Sequence, residues 1–168
     1  VVKLELLSDN LMILIEELLN NQSIAKYLKY NDKDAINKPD ILLPANSLLM
    51  NKIFPFPFNP NISTDDCSQI RVYYPDGGFD DSQVWLDTDI FFDIVVAKKL
   101  WLTSDGQRSS IRPYEIMRHT IEQFKDRSIG TLGKLIFTRF IHMNANDNFD
   151  VIRLGAQMST IVNKNNKG

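Results

Sequence analysis

Six aspartates, Asp76, Asp80, Asp81, Asp87, Asp89 and Asp93, fall within 18 positions, and carboxylate oxygens are the ligands that hard divalent cations seek. The stretch lacks the fixed-length loop ending in Glu that defines an EF-hand. Strand parity puts Asp87, Asp89 and Asp93 on one face, so a divalent-ion site serving a metal-dependent accessory enzyme is one reading. Solvated acids around a turn are the second, and an acidic surface that repels DNA is the third. His119 and His142 are the only histidines, and neither belongs to an H-E-x-x-H pair of the kind that binds zinc. Both read as ordinary polar or partly buried side chains. Cys67 stands beside Asp65 and Asp66, whose charges oppose a reactive thiolate. No G-x-S-x-G nucleophile turn is present. Gly77-Gly78 and Gly130-Thr131-Leu132-Gly133 lack the Lys-Ser or Lys-Thr and the following helix of a phosphate-binding loop. Arg108, Arg112, Arg118, Arg127 and Arg139 are scattered among acids and read as surface charges or ion-pair partners. No catalytic, cofactor or metal residue is assigned, and the chain reads as non-enzymatic.

The whole composition narrows the class further. In 168 residues, 43% are hydrophobic and 24% charged, which suits one folded domain over residues 1–168. A formal net charge of −2 offers no global attraction to nucleic acid or anionic lipid. One cysteine rules out an internal disulfide and a multi-cysteine zinc site. No apolar run approaches the roughly 20 residues that span a bilayer, and the N-terminal apolar stretch carries acids, unlike a signal peptide. The chain reads as soluble.

The elements that would position these residues follow from periodicity. Leu4, Leu7, Leu11, Leu14 and Leu18 recur at spacings of three and four, which predicts an amphipathic helix from residue 2 to about 29, broken near Asn20. Met12, Ile13, Ile15 and Leu19 widen its apolar arc, so the helix is either deep in its own core or shared with a neighbouring subunit. From Asn31 to Cys67 periodicity vanishes, and Pro39, Pro44, Pro55, Pro57 and Pro60 exclude helix or central strand. Connections beyond about 12 to 15 residues are uncommon in compact domains. Phe54, Phe56 and Phe58 alternate with prolines here, and that much aromatic area must dock, on its own domain as a strap or on an adjacent protein as an arm.

Ile70, Val72 and Tyr74 alternate with Arg71 and Tyr73, the pattern of a half-buried strand. Residues 88–97 are apolar on both faces and read as a central strand, with a short extra strand around Val84 and Trp85. Ser109 or Ser110 is the expected start of a second helix, with Pro113 in its first turn and an end near Asp126. Met117, Ile121 and Phe124 would face the sheet. Residues 134–143 and 149–162 form a hairpin around the Asn/Asp-rich 144–148 turn, and 163–168 should fray. The order predicts an α+β fold: a mainly antiparallel sheet of four to five strands with an N-terminal helix and a second helix packed on it.

That element order, with Asp-Ile-Phe-Phe-Asp-Ile-Val-Val-Ala-Lys-Lys-Leu-Trp-Leu at 89–102 and Ile-Arg-Pro-Tyr-Glu-Ile-Met at 111–117, resembles neck proteins of tailed bacteriophages. The nearest type is the tail terminator, the tail-completion or head-to-tail joining protein. The resemblance spans residues 2–162 and implies a structural virion protein, assembled in the host cytoplasm into a homo-oligomeric, hexameric ring. Such a ring caps the tail tube, meets a head-completion or connector protein, and leaves a channel for DNA without sequence-specific binding. Leu11, Ile15, Leu18, Phe54, Phe56 and Phe58 are then the expected subunit or partner contacts, and Asp80, Asp81 and Asp87 the channel-facing acids. A head-completion adaptor or stopper is the neighbouring alternative.

Overall fold

A computed structural model of the chain describes residues 5–79, 86–87, 89–129 and 133–159. The opening helical stretch is two helices, α1 at Glu5–Leu19 and α2 at Gln22–Lys29, separated at the predicted break. Asn21 caps α2, its Oδ1 accepting from the Ile24 amide at 3.0 Å, so one of the donors left over at a helix start is satisfied.

The long connection then supplies a two-residue strand, β1 (Ile53–Phe54), ahead of β2 (Ser68–Tyr73). Two short pieces, β3 (Gly78–Phe79) and β4 (Leu86–Asp87), pair with each other, and β5 (Asp89–Ala97) follows. A small hairpin of β6 (Leu102–Ser104) and β7 (Ser109–Ile111) leads directly into α3 (Arg112–Phe124). The chain closes with β8 (Lys134–Asn144) and β9 (Phe149–Ser159).

Five strands form one sheet in the order β1-β2-β5-β9-β8. Every neighbouring pair is antiparallel except β1 with β2. This is the α+β class that the sequence predicted. β5 is central as expected, and its side chains divide by parity between two apolar clusters. Ile90, Phe92, Ile94 and Val96 join Leu14, Leu18, Ile24, Leu28, Ile116 and Phe124 under the helices. Val95 and Ala97 join Cys67, Phe149 and Val151 on the opposite face.

Three local expectations are corrected. Ser109 and Ser110 do not cap α3, because they are paired in β7 with Ser104 and Thr103. The residue before the helix is Ile111, with no side-chain cap. The buried face of α3 runs through Ile116, Thr120 and Phe124, with Met117 and Ile121 at its margin. β2 is not half-buried: all six of its residues are buried, because Phe54, Phe56 and Phe58 lie over Arg71 and Tyr73 is enclosed by Phe91, Asp93 and Arg153. The expected strand at Val84 and Trp85, the Gly130–Leu132 turn, Leu4, and the tail from residue 160 lie outside the described residues.

Candidate functional site

The sheet face away from the helices gathers the polar chemistry of the chain. Register places Arg71, Asp93 and Arg153 side by side across β2, β5 and β9. Asp93, 3% exposed, accepts from Arg153 Nε at 2.8 Å on Oδ1 and from Arg153 Nη2 at 2.9 Å on Oδ2. The Tyr73 hydroxyl donates to the same Oδ2 at 2.6 Å, and Arg153 Nη2 also reaches the Tyr73 oxygen at 2.9 Å. A two-pronged guanidinium-carboxylate pair with a third donor satisfies both oxygens of a buried acid, the condition under which such burial is tolerated. Burial first, then the bond to Asp93, pushes the Tyr73 phenol far above its ordinary value. It remains a neutral donor. Asp93 is thereby spent on its neighbours and is not a free metal ligand.

Arg71 is bound quite differently. It is 9% exposed, yet its Nε donates only to Gln69 Oε1, at 2.8 Å, and among the described residues no carboxylate pairs with it. Aromatic faces take the place of an anion. The guanidinium carbon lies 3.7 Å from the centroid of the Phe54 ring, 5.2 Å from Phe56 and 5.6 Å from Phe58, within the range of cation-π attraction. Desolvation lowers its pKa, with the Cys67 side opposing. A cleft of about 470 Å3 opens over this group, lined by Phe54, Phe56, Phe58, Gln69 and Arg71 among others. Phe58 and Pro57 separate it from a smaller cleft of about 200 Å3 beside Asp93 and Arg153.

The expected contact residues separate into two groups. Ile15 and Leu18 are 0% exposed and are core residues of the subunit itself. Their expected contact role is corrected, since a side chain without accessible surface has nothing to bury against a partner. Leu11 is partly buried against the same core. The Phe54, Phe56 and Phe58 segment docks in cis over Arg71, and Phe58 packs at 5.5 Å on Phe149. Phe56 keeps 43% exposure. Asp80 and Asp81 lie outside the described residues, and Asp87 is described only as backbone of β4.

The scattered arginines include one that sequence reasoning misplaced. Arg112 is not a surface charge but is 0% exposed. Its Nε donates to Leu100 O at 2.9 Å, Nη1 to Tyr27 O at 3.0 Å and Tyr30 O at 2.8 Å, and Nη2 to Asp32 O at 2.6 Å. A fixed cation thus closes the carbonyl end of α2, where unpaired acceptors and the helix dipole both favour positive charge. Arg71 and Gln69, which the sequence did not single out, had one signal: a connection rich in Phe must cover something, and an arginine on a β-strand offers a flat partner for rings.

The edge strand β8 has a different character. Among the described residues its outer side receives one isolated bridge, from Ser128 to Lys134, and its other side pairs with β9. Ile136, Phe140 and Ile141 are 53%, 52% and 38% exposed. No helix among the described residues is long and apolar enough to cross a membrane, and no cluster of three or more His, Cys, Asp or Glu there is placed to hold a metal ion.

The fold and these surfaces define a small α+β protein with a helical core, a polar face under an aromatic strap, and an edge strand whose outer side, among the described residues, receives one isolated bridge. Residues 21–158 match the YomW family, and the chain belongs to that family, which derives from Bacillus phage and prophage. No curated protein and no solved structure matches the chain significantly.

Proposed function

We propose that this protein is a structural subunit of a phage neck: a tail terminator that assembles with copies of itself into a ring, caps the tail tube and leaves a passage for DNA. The observation that carries the reading is the edge strand β8. Eleven residues long, it offers a row of backbone donors and acceptors beside Ile136, Phe140 and Ile141, whose large side chains are exposed. A register shift between Phe137 and Arg139 and the exposed Lys134 and Arg139 interrupt this edge, but the exposed apolar side chains that remain on it still invite pairing with another chain. A second copy is the proposed occupant, since repetition of one contact around an axis closes a ring. The phage origin of the family and the near-neutral charge suit a channel component that lets DNA slide without sticking. Ile15 and Leu18 are buried within the subunit and Phe54 and Phe58 are partly covered there, so in this reading assembly rests chiefly on β8, with Phe56, 43% exposed, outside that contact.

Native mass spectrometry and cryo-electron microscopy of the purified protein, with and without tail-tube protein, test the assignment. A closed ring that dissociates when Ile136 and Phe140 are both replaced by Lys supports it. A monomer at tens of micromolar, even with tail-tube protein present, overturns it. Copurification with portal-side rings in place of the tail tube would move the protein to the head-completion position.

A further inference from the structure

Arg71 presents a problem in physical chemistry that the aromatic strap solves only in part. A charge removed from water must be paired or bonded at each of its donors. Here the Nε edge is used by Gln69 and one flat face is covered by Phe54 at 3.7 Å. Among the described residues no acceptor meets the terminal Nη1 and Nη2 donors. The residue is 9% exposed, and because Ser68 Oγ is the one buried side-chain polar atom there without a partner, what surface Arg71 keeps is at this end of the fork. Register sets Asp93 directly across from Arg71, yet its oxygens are committed to Arg153 and Tyr73. Asp65 lines the same cleft and is exposed, with no ion pair to Arg71. The open end of the guanidinium therefore belongs to a cleft whose volume, about 470 Å3, falls within the range of small-ligand sites.

We propose that this cleft is a carboxylate-binding site: the Nη1/Nη2 edge of Arg71 takes a carboxylate through two parallel hydrogen bonds, and Phe56 and Ile62 flank the apolar body that carries it. The geometry selects the anion. With Phe54 stacked on the face and Gln69 on the Nε edge, the remaining donors lie in one plane at the end of the fork, which matches a planar carboxylate. Lys52 and Asp65 also line the cleft, so their charges offset each other and Arg71 is left to be neutralised by one negative charge, while the preference over phosphate rests on the planar fork. Gln69 keeps the fork aimed, acting as a positioning residue. The carboxylate is either that of a free small acid or an acidic side chain of a protein partner. The site stands independently of ring assembly.

The test titrates the full chain with sodium benzoate by calorimetry while the Arg71 side-chain NH resonances are followed by NMR. Benzoate should bind with a Kd of a few millimolar, the strength open to so small a ligand, and shift those resonances. Benzamide and inorganic phosphate should bind at least about tenfold more weakly. Gln69→Glu supplies an internal carboxylate beside the guanidinium; this variant should melt at a higher temperature than the parent and lose benzoate affinity by about tenfold or more. Arg71→Lys, checked for folding by circular dichroism, should lose it as well. An acidic peptide such as acetyl-Phe-Glu-amide binding more tightly than benzoate identifies a protein carboxylate as the ligand, and the reverse order identifies a free acid. Equal binding of benzamide and benzoate, undiminished binding to Gln69→Glu, or no binding of either probe with unmoved Arg71 resonances overturns the proposal.

Discussion

Replacing Arg112 by Met should destabilise the protein more than any surface change of charge. Four carbonyls accept from this one side chain, those of Leu100, Tyr27, Tyr30 and Asp32. Bonds from a charged donor contribute about 1.5 to 3 kcal/mol each, so a simple sum reaches roughly 6 to 12 kcal/mol. Two effects reduce it. Removing the guanidinium also removes its desolvation penalty, several kcal/mol for a buried ion. In addition, only the bond to Tyr27 O is fully buried, and the other carbonyls lie where water can replace the lost donor. The expected net loss is about 3 to 5 kcal/mol. For a chain of this size each kcal/mol moves the melting temperature by about 2 to 4 °C, so a drop of roughly 6 to 20 °C follows. Urea denaturation followed by far-ultraviolet circular dichroism measures the free energy, and a thermal melt the midpoint. Arg112→Lys retains the charge but not the fork and should lose about half as much. A loss below about 1 kcal/mol for Arg112→Met, within the range of ordinary surface substitutions, would refute the assignment of Arg112 as the closing group of α2.

Two further outcomes follow from the same energetics. Asp93→Asn leaves the Arg153 guanidinium, 28% exposed, without its carboxylate; it should cost about 3 to 5 kcal/mol by urea denaturation, whereas a change under about 1 kcal/mol would show the pair to be dispensable. The His119 imidazole is held below its ordinary pKa by burial and then by the Arg118 charge, with Glu122 and Glu115 opposing, and Arg118 Nη2 lies 3.2 Å from its Nε2. The unfolded chain therefore takes up this proton first, near pH 6.5. The His119 contribution is complete above that pH and is lost as pH falls through the lower folded value. His119→Gln should flatten this part of the stability profile below about pH 6.5, and an unchanged slope would contradict it.

The helices and the central strand were legible because their signals are local. The spacing of Leu7, Leu11, Leu14 and Leu18, the Asn20-Asn21 break and the two-sided apolar run of β5 each depend on neighbours a few residues away, and the structure places them as the periodicity indicates. The hairpin of β8 and β9 follows from its Asn/Asp turn in the same way. Helix starts were less legible: Ser109 and Ser110 have the chemistry of caps, but pairing with β6 claims their backbone first.

What only the tertiary structure decided concerns the arginines and the strap. Arg71, Arg112 and Arg153 are alike in sequence, each a cation among mixed neighbours. Their fates differ because one meets rings, one meets carbonyls and one meets a carboxylate. The partners lie as far as 85 residues away, and the free energy of a buried charge depends on whichever groups the fold brings within about 3 Å, a distance no local pattern encodes. The segment from Phe54 to Phe58 announced by its composition that it must dock somewhere. Where it docks was settled by Arg71, whose flat cation faces it from β2 once the sheet has formed.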